Sequence, residues 1–84
     1  MNLSNIETLV YEAVQEIQEI KRDNRIAPDL ALLPEVYNFL RPELGSGYEE
    51  EALGALRSLY RRGLIVYQYN ISKIPMFGIK ELRQ

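Results

Sequence analysis

Residues 52–65, ALGALRSLYRRGLI, decide how this chain folds. Ala52, Leu56 and Leu59 recur at i, i+4 and i+7, the spacing that sets apolar side chains on one stripe of an α-helix. Leu53 and Tyr60 widen the stripe, while Glu50, Gly54, Arg57, Ser58 and Arg61 fall on the opposite face. Arg61 and Arg62 occupy the last turn, where cations complement the helix dipole, and Gly63 can take the left-handed backbone that closes a helix. Residues 64–69, LIVYQY, follow at once and read as a strand rich in β-branched and aromatic side chains. An amphipathic helix therefore turns at a glycine directly into a strand.

Composition bounds what can surround this stretch. The 84 residues, read as one domain over positions 1–84, allow a single modest core. Hydrophobic residues at 46% and charged residues at 26% describe a globular soluble chain. Without cysteine there is neither a disulfide framework nor a thiolate zinc site, which suits a reducing cytoplasm. No apolar run reaches the roughly 18 residues of a membrane span, and MNLSNIETL lacks the basic start and apolar block of a secretory signal. In that setting the sequons at Asn2 and Asn70 read as chance. Charge is segregated: residues 1–56 hold four basic and eleven acidic side chains, and residues 57–84 six basic and one acidic. A basic third of this kind suits an anionic partner, although charges that complement helix dipoles account for part of it.

Upstream, Ser4 and Glu7 form a capping-box pattern, each side chain placed to meet the other's backbone N–H. Ile6, Val10, Ala13, Ile17 and Ile20 then alternate steps of four and three, flanked by Leu9 and Val14, so a long first helix should run to about Arg22. Glu12, Glu16 and Glu19 share another face and read as a solvated surface rather than a metal or acid–base cluster. Pro28 biases Ala27 towards extended backbone, which predicts a short edge strand at residues 25–27. A second helix should start at Pro34, run to Arg41 with Val36, Tyr37 and Leu40 facing inward, and stop at Pro42. Asp29 could instead cap an earlier start. Ser46 with Glu49 predicts a second capping box for the third helix, whose first turn holds Glu49, Glu50 and Glu51.

Downstream, residues 70–75 (NISKIP) read as a loop and 76–80 (MFGIK) as a return strand, completing a β-hairpin. Tyr67 and Tyr69 share a strand face with Ile65, and packing against Phe77 and Ile79 is their expected use, with stacking on unpaired bases the alternative. Ile71 and Ile74 in the loop would suit a protein contact.

Three helices, a short strand and a C-terminal hairpin make an α+β chain that resembles the winged helix-turn-helix family of bacterial regulators. Ala52-Leu53, Leu56, Leu59 and Gly63-Leu64-Ile65 carry the resemblance, at the end of the recognition helix and the start of the wing. The resemblance implies a cytoplasmic transcriptional regulator that binds double-stranded DNA, with the third helix in the major groove and the wing on the backbone. The residues it assigns to DNA are Arg57, Ser58, Arg61, Arg62, Lys73 and Lys80, with Asn70 and Ser72 also at the wing tip. Glu49–Glu51 run against it, since carboxylates beside phosphates are repelled. A winged-helix module that binds proteins instead of DNA is the alternative.

No catalytic motif stands out: histidine and cysteine are absent, no glycine-rich phosphate loop is present, and capping accounts for Ser4 and Ser46. The expectation is a protein that is not an enzyme and needs no cofactor or metal. The stripe that runs from Leu3 to Ile20 holds its spacing for longer than one short neighbour requires, which raises a homodimer through the first helix against burial within the monomer.

Overall fold

The computed structural model describes residues 3–80. Asn2 of the first sequon, and Glu81 and Arg83 of the charge segregation, lie outside the described residues. Helix α1 (Asn5–Asp23) starts as the sequence predicts. The Glu7 N–H donates to Ser4 Oγ at 3.2 Å, and the Ser4 N–H donates to Glu7 Oε1 at 2.9 Å. Val10, Ala13, Val14 and Ile17 are buried, Ile6 and Leu9 pack partly against the core, and Ile20 is half exposed. Glu12, Glu16 and Glu19 face water.

The edge strand expected at residues 25–27 does not form there. Strand β1 is Ala31–Leu32 instead. Arg25 turns the chain with φ 57, a left-handed value incompatible with a strand. Two side chains of α1 then fix the following segment: Gln18 Nε2 donates to the Asp29 carbonyl at 3.0 Å and Lys21 Nζ to the Leu30 carbonyl at 2.8 Å. Their reach decides where the backbone can next join a sheet. Asp29 caps no helix; it pairs with Arg22, Nε to Oδ2 at 3.1 Å.

Helix α2 spans Leu33–Leu44, so Pro42 lies inside it rather than ending it. The last turn survives because the Gly45 N–H closes on the Arg41 carbonyl at 2.8 Å and Leu44 packs against the core. At the other end Glu35 Oε1 accepts from the Leu32 N–H at 2.9 Å, which caps the helix from its third position. Helix α3 is Glu49–Arg61, preceded by Tyr48 rather than capped by Ser46. Gly45 and Gly47 both take positive φ and swing Tyr48 into the core, where its hydroxyl donates to the Tyr37 carbonyl. Anchoring that ring shifts the helix start past Ser46.

The end of α3 follows the sequence closely. Gly63 has φ 76, its N–H donates to the Tyr60 carbonyl and the Leu64 N–H to the Leu59 carbonyl, a Schellman closure. Strand β2 (Ile65–Tyr69) and strand β3 (Pro75–Ile79) form the hairpin, with Ile65 opposite Ile79, Tyr67 opposite Phe77 and Tyr69 opposite Pro75. β1 pairs with the free side of β3, which gives an antiparallel sheet of order β1-β3-β2. At Gly78 on the central strand a Cβ would lie 2.7 Å from Leu30 Cδ2 and 3.0 Å from Gln18 Nε2, so those side-chain ends would have to move to admit one. Leu56 and Leu59 of α3, Val10 and Val14 of α1, Val36 of α2 and Ile65 of β2 are the largest fully buried side chains. This is an α+β fold of three helices and a small antiparallel sheet, an order compatible with a winged helix. None of the helices among the described residues is long and apolar enough to cross a membrane.

Candidate nucleic-acid interface

The buried side of α3 is Ala52, Ala55, Leu56 and Leu59. A helix turns 100° per residue, so Glu50, Gly54, Arg57 and Arg61 form the face opposite, and Leu53 and Tyr60 stand on the flank between the two. Apart from half-buried Leu53 these residues are exposed. The face is polarised along its length. Its first turn is acidic, and its last two turns carry Arg57 and Arg61.

The hairpin lies beside those last two turns. Leu53, Arg57, Tyr60 and Arg61 on α3 and Tyr67 and Tyr69 on β2 line an open groove of about 370 Å³, floored by Leu56 and Phe77. Tyr60 meets Tyr67 edge to face at 4.9 Å, and Tyr67 meets Tyr69 edge to face at 5.7 Å. Tyr67 also packs over Phe77 at 6.0 Å, the cross-strand use expected of it. Tyr69, which also lines the groove, is 61% exposed.

Not all six residues assigned to DNA share this face. Ser58 is half-buried and its hydroxyl donates to Glu7 Oε2 across the α1–α3 contact. Arg62, one turn on, approaches the same carboxylate, Nη2 to Oε1 at 4.0 Å. The hydrogen bond from Ser58 first, then the Ser4 backbone and the nearby Arg62 charge, hold the Glu7 carboxyl below its ordinary 4.5. Ser58 therefore lies on the side of α3 turned to α1 and not on the outer face. Position 58 sits one turn from buried Ala55, whose burial the 52-56-59 stripe does not reveal. The pairing with Glu7 spans 51 residues and has no local signature.

Lys73 is exposed in the hairpin turn with φ 65. Lys80 is exposed at the opposite end of the hairpin, where its N–H donates to the Leu64 carbonyl. Asn70 is committed to the turn itself, since its Oδ1 accepts from the Ser72 and Ile74 N–H groups, both at 2.9 Å. Ile71 at the tip is fully exposed, and Ile74 is half-buried. Behind the acidic start of α3, burial and the Glu49 carboxylate raise the Tyr37 hydroxyl above its ordinary 10.0, while the Arg57 charge acts the other way. Among the described residues no group of acidic side chains is placed to hold a metal ion.

Comparisons of the chain with protein-family models, with curated proteins and with solved structures find no match.

Proposed function

We propose that this is a small winged-helix DNA-binding protein, a cytoplasmic regulator that meets the phosphate backbone with Arg57 and Arg61 on α3 and Lys73 on the hairpin turn. One observation carries the reading: Arg57 and Arg61 stand exposed on one face of α3, one turn apart and beside the hairpin. Guanidinium groups so placed give bidentate donors to phosphate without competing for a core role. Ser58 drops out of the contact set, because its hydroxyl is committed to Glu7, and Arg62, exposed but drawn towards the same carboxylate at 4.0 Å, is a secondary contact. Lys80 is a peripheral contact at the far end of the hairpin.

A homodimer through α1 belongs to the same reading, with half-exposed Ile20 as the apolar part of the helix left for a partner. A second reading, a module that binds proteins, is favoured by fully exposed Ile71 and by the acidic first turn of α3.

The test is fluorescence anisotropy of a labelled duplex over a salt series. Three phosphate contacts give a log–log slope of about −2.7. Replacing Arg57 and Arg61 together with alanine should leave a slope of about −0.9. No association at about 50 mM salt, with the duplex or with either of its separated strands, would refute the reading in favour of a protein partner.

A further inference from the structure

We infer that the groove between α3 and β2 takes an unstacked base, so that the preferred ligand is single-stranded or locally opened DNA rather than an intact duplex. The inference rests on the DNA reading above and names the form of DNA that this site fits. Two independent features point to it.

The first is the content of the groove. Arg57 and Arg61 line it and are exposed, so a phosphate backbone held by them passes alongside the groove. Tyr60, Tyr67 and Tyr69 line the same groove, all at least two-fifths exposed. In an intact duplex the base faces are buried against one another, and only base edges and backbone would reach these rings. An unstacked base offers a π-face to tyrosine and polar edges to the guanidinium groups. The volume of about 370 Å³ falls within the range of pockets that take a small organic group.

The second is the acidic first turn of α3. A recognition helix in the major groove presents its N-terminal residues to the base edges. Here those residues are Glu49, Glu50 and Glu51, which a double line of phosphates repels. A single strand along the C-terminal half of the helix meets Arg57 and Arg61, about 6 Å apart along the axis, and avoids the acidic turn.

The intact chain reports on such binding directly. It contains six tyrosines and no tryptophan, and half of the tyrosines line the groove. Tyrosine emission and anisotropy would be followed with a short oligothymidylate and with the same strand annealed to its complement. The expected result is quenched emission and single-strand affinity about tenfold or more above duplex affinity. Tyr69→Ala and Tyr69→Leu should each weaken single-strand binding by about 5- to 150-fold, while Tyr69→Trp retains it. Tyr69 is exposed at a strand end, so these variants keep the fold. Equal affinity for both forms, unmoved by Tyr69→Ala, would overturn the inference and leave the DNA reading standing. Full affinity in Tyr69→Leu would overturn it as well, because the groove would then hold an apolar group and not a base. Failure of both forms to bind would remove the DNA reading and this inference with it.

Discussion

Replacing Lys21 with methionine isolates a device that the apolar pattern of α1 conceals. Lys21 is 9% exposed; its Nζ donates to the Leu30 carbonyl at 2.8 Å and stands 2.7 Å from Glu35 Oε1. Methionine keeps most of the stem volume and removes the ammonium. Leaving the part-buried Leu30 carbonyl without its donor costs about 1–3 kcal/mol. Loss of the ion pair adds about 0–1 kcal/mol, because the Glu35 side chain is 40% exposed. Relief from holding a charge away from water acts in the other direction, and replacing a whole buried pair can gain about 1–4 kcal/mol. Here only one partner goes, and Glu35 keeps both solvent access and the Leu32 N–H, so the relief is small. The net expectation is a loss of about 1–3 kcal/mol, or a fall in Tm of about 5–20 °C for a domain of this size. Thermal and urea unfolding followed by circular dichroism measures it. A Lys21→Met protein as stable as its parent would show that the charge is a burden and that Gln18 alone holds the segment before β1.

Three further outcomes are expected. Leu56→Ala, at a site 1% exposed, should cost about 2–5 kcal/mol in urea unfolding, whereas Arg57→Ala should fall within about 0.5 kcal/mol of the parent; equal losses would mean that the helix is turned differently. Because the Glu7 carboxyl is held below 4.5 in the folded protein, its contribution is present above that pH and is lost as pH falls through the folded value. Ser58→Ala should raise the folded pKa, lower Tm at neutral pH and flatten its dependence below pH 4.5, and an unchanged Tm-versus-pH curve would deny Glu7 this role. Ile20→Glu should convert a dimer to a folded monomer in sedimentation equilibrium; a parent chain that stays monomeric at high concentration would exclude pairing through α1.

Periodicity and end signals made most of the helical fold legible. The Ser4–Glu7 box, the 52-56-59 stripe and Gly63 each act within a few residues, and each appears where its local chemistry puts it. The errors have a common physical cause. Arg25–Ala27, Pro42 and Ser46 carry local preferences that packing elsewhere overrides: Gln18 and Lys21 relocate β1, the core contact of Leu44 carries α2 past its proline, and burial of Tyr48 moves the start of α3. At the candidate site, Arg57 and Arg61 were legible from helix phase alone. That Ser58 is turned away, and that Tyr60 joins Tyr67 and Tyr69 in one aromatic groove, depends on how α3 packs against α1 and the hairpin.

Gln18 has a consequence for the order in which the chain can be made. Its Oε1 accepts from the Ile79 N–H at 2.8 Å, a bond that spans 61 residues, while its Nε2 holds Asp29. A two-stranded hairpin is marginal by itself in water, so the sheet has no stable form before α1 is present to receive it. The converse also holds, since α1 emerges from the ribosome long before its strand partners. At about 5–20 residues per second, Gln18 waits about 3–12 seconds for residue 79 to be synthesised. At the start of that interval Val10, Val14 and Ile17 lack the cover of α2 and α3, and throughout it they lack that of β3. The nascent chain, more than the finished protein, is the form exposed to aggregation.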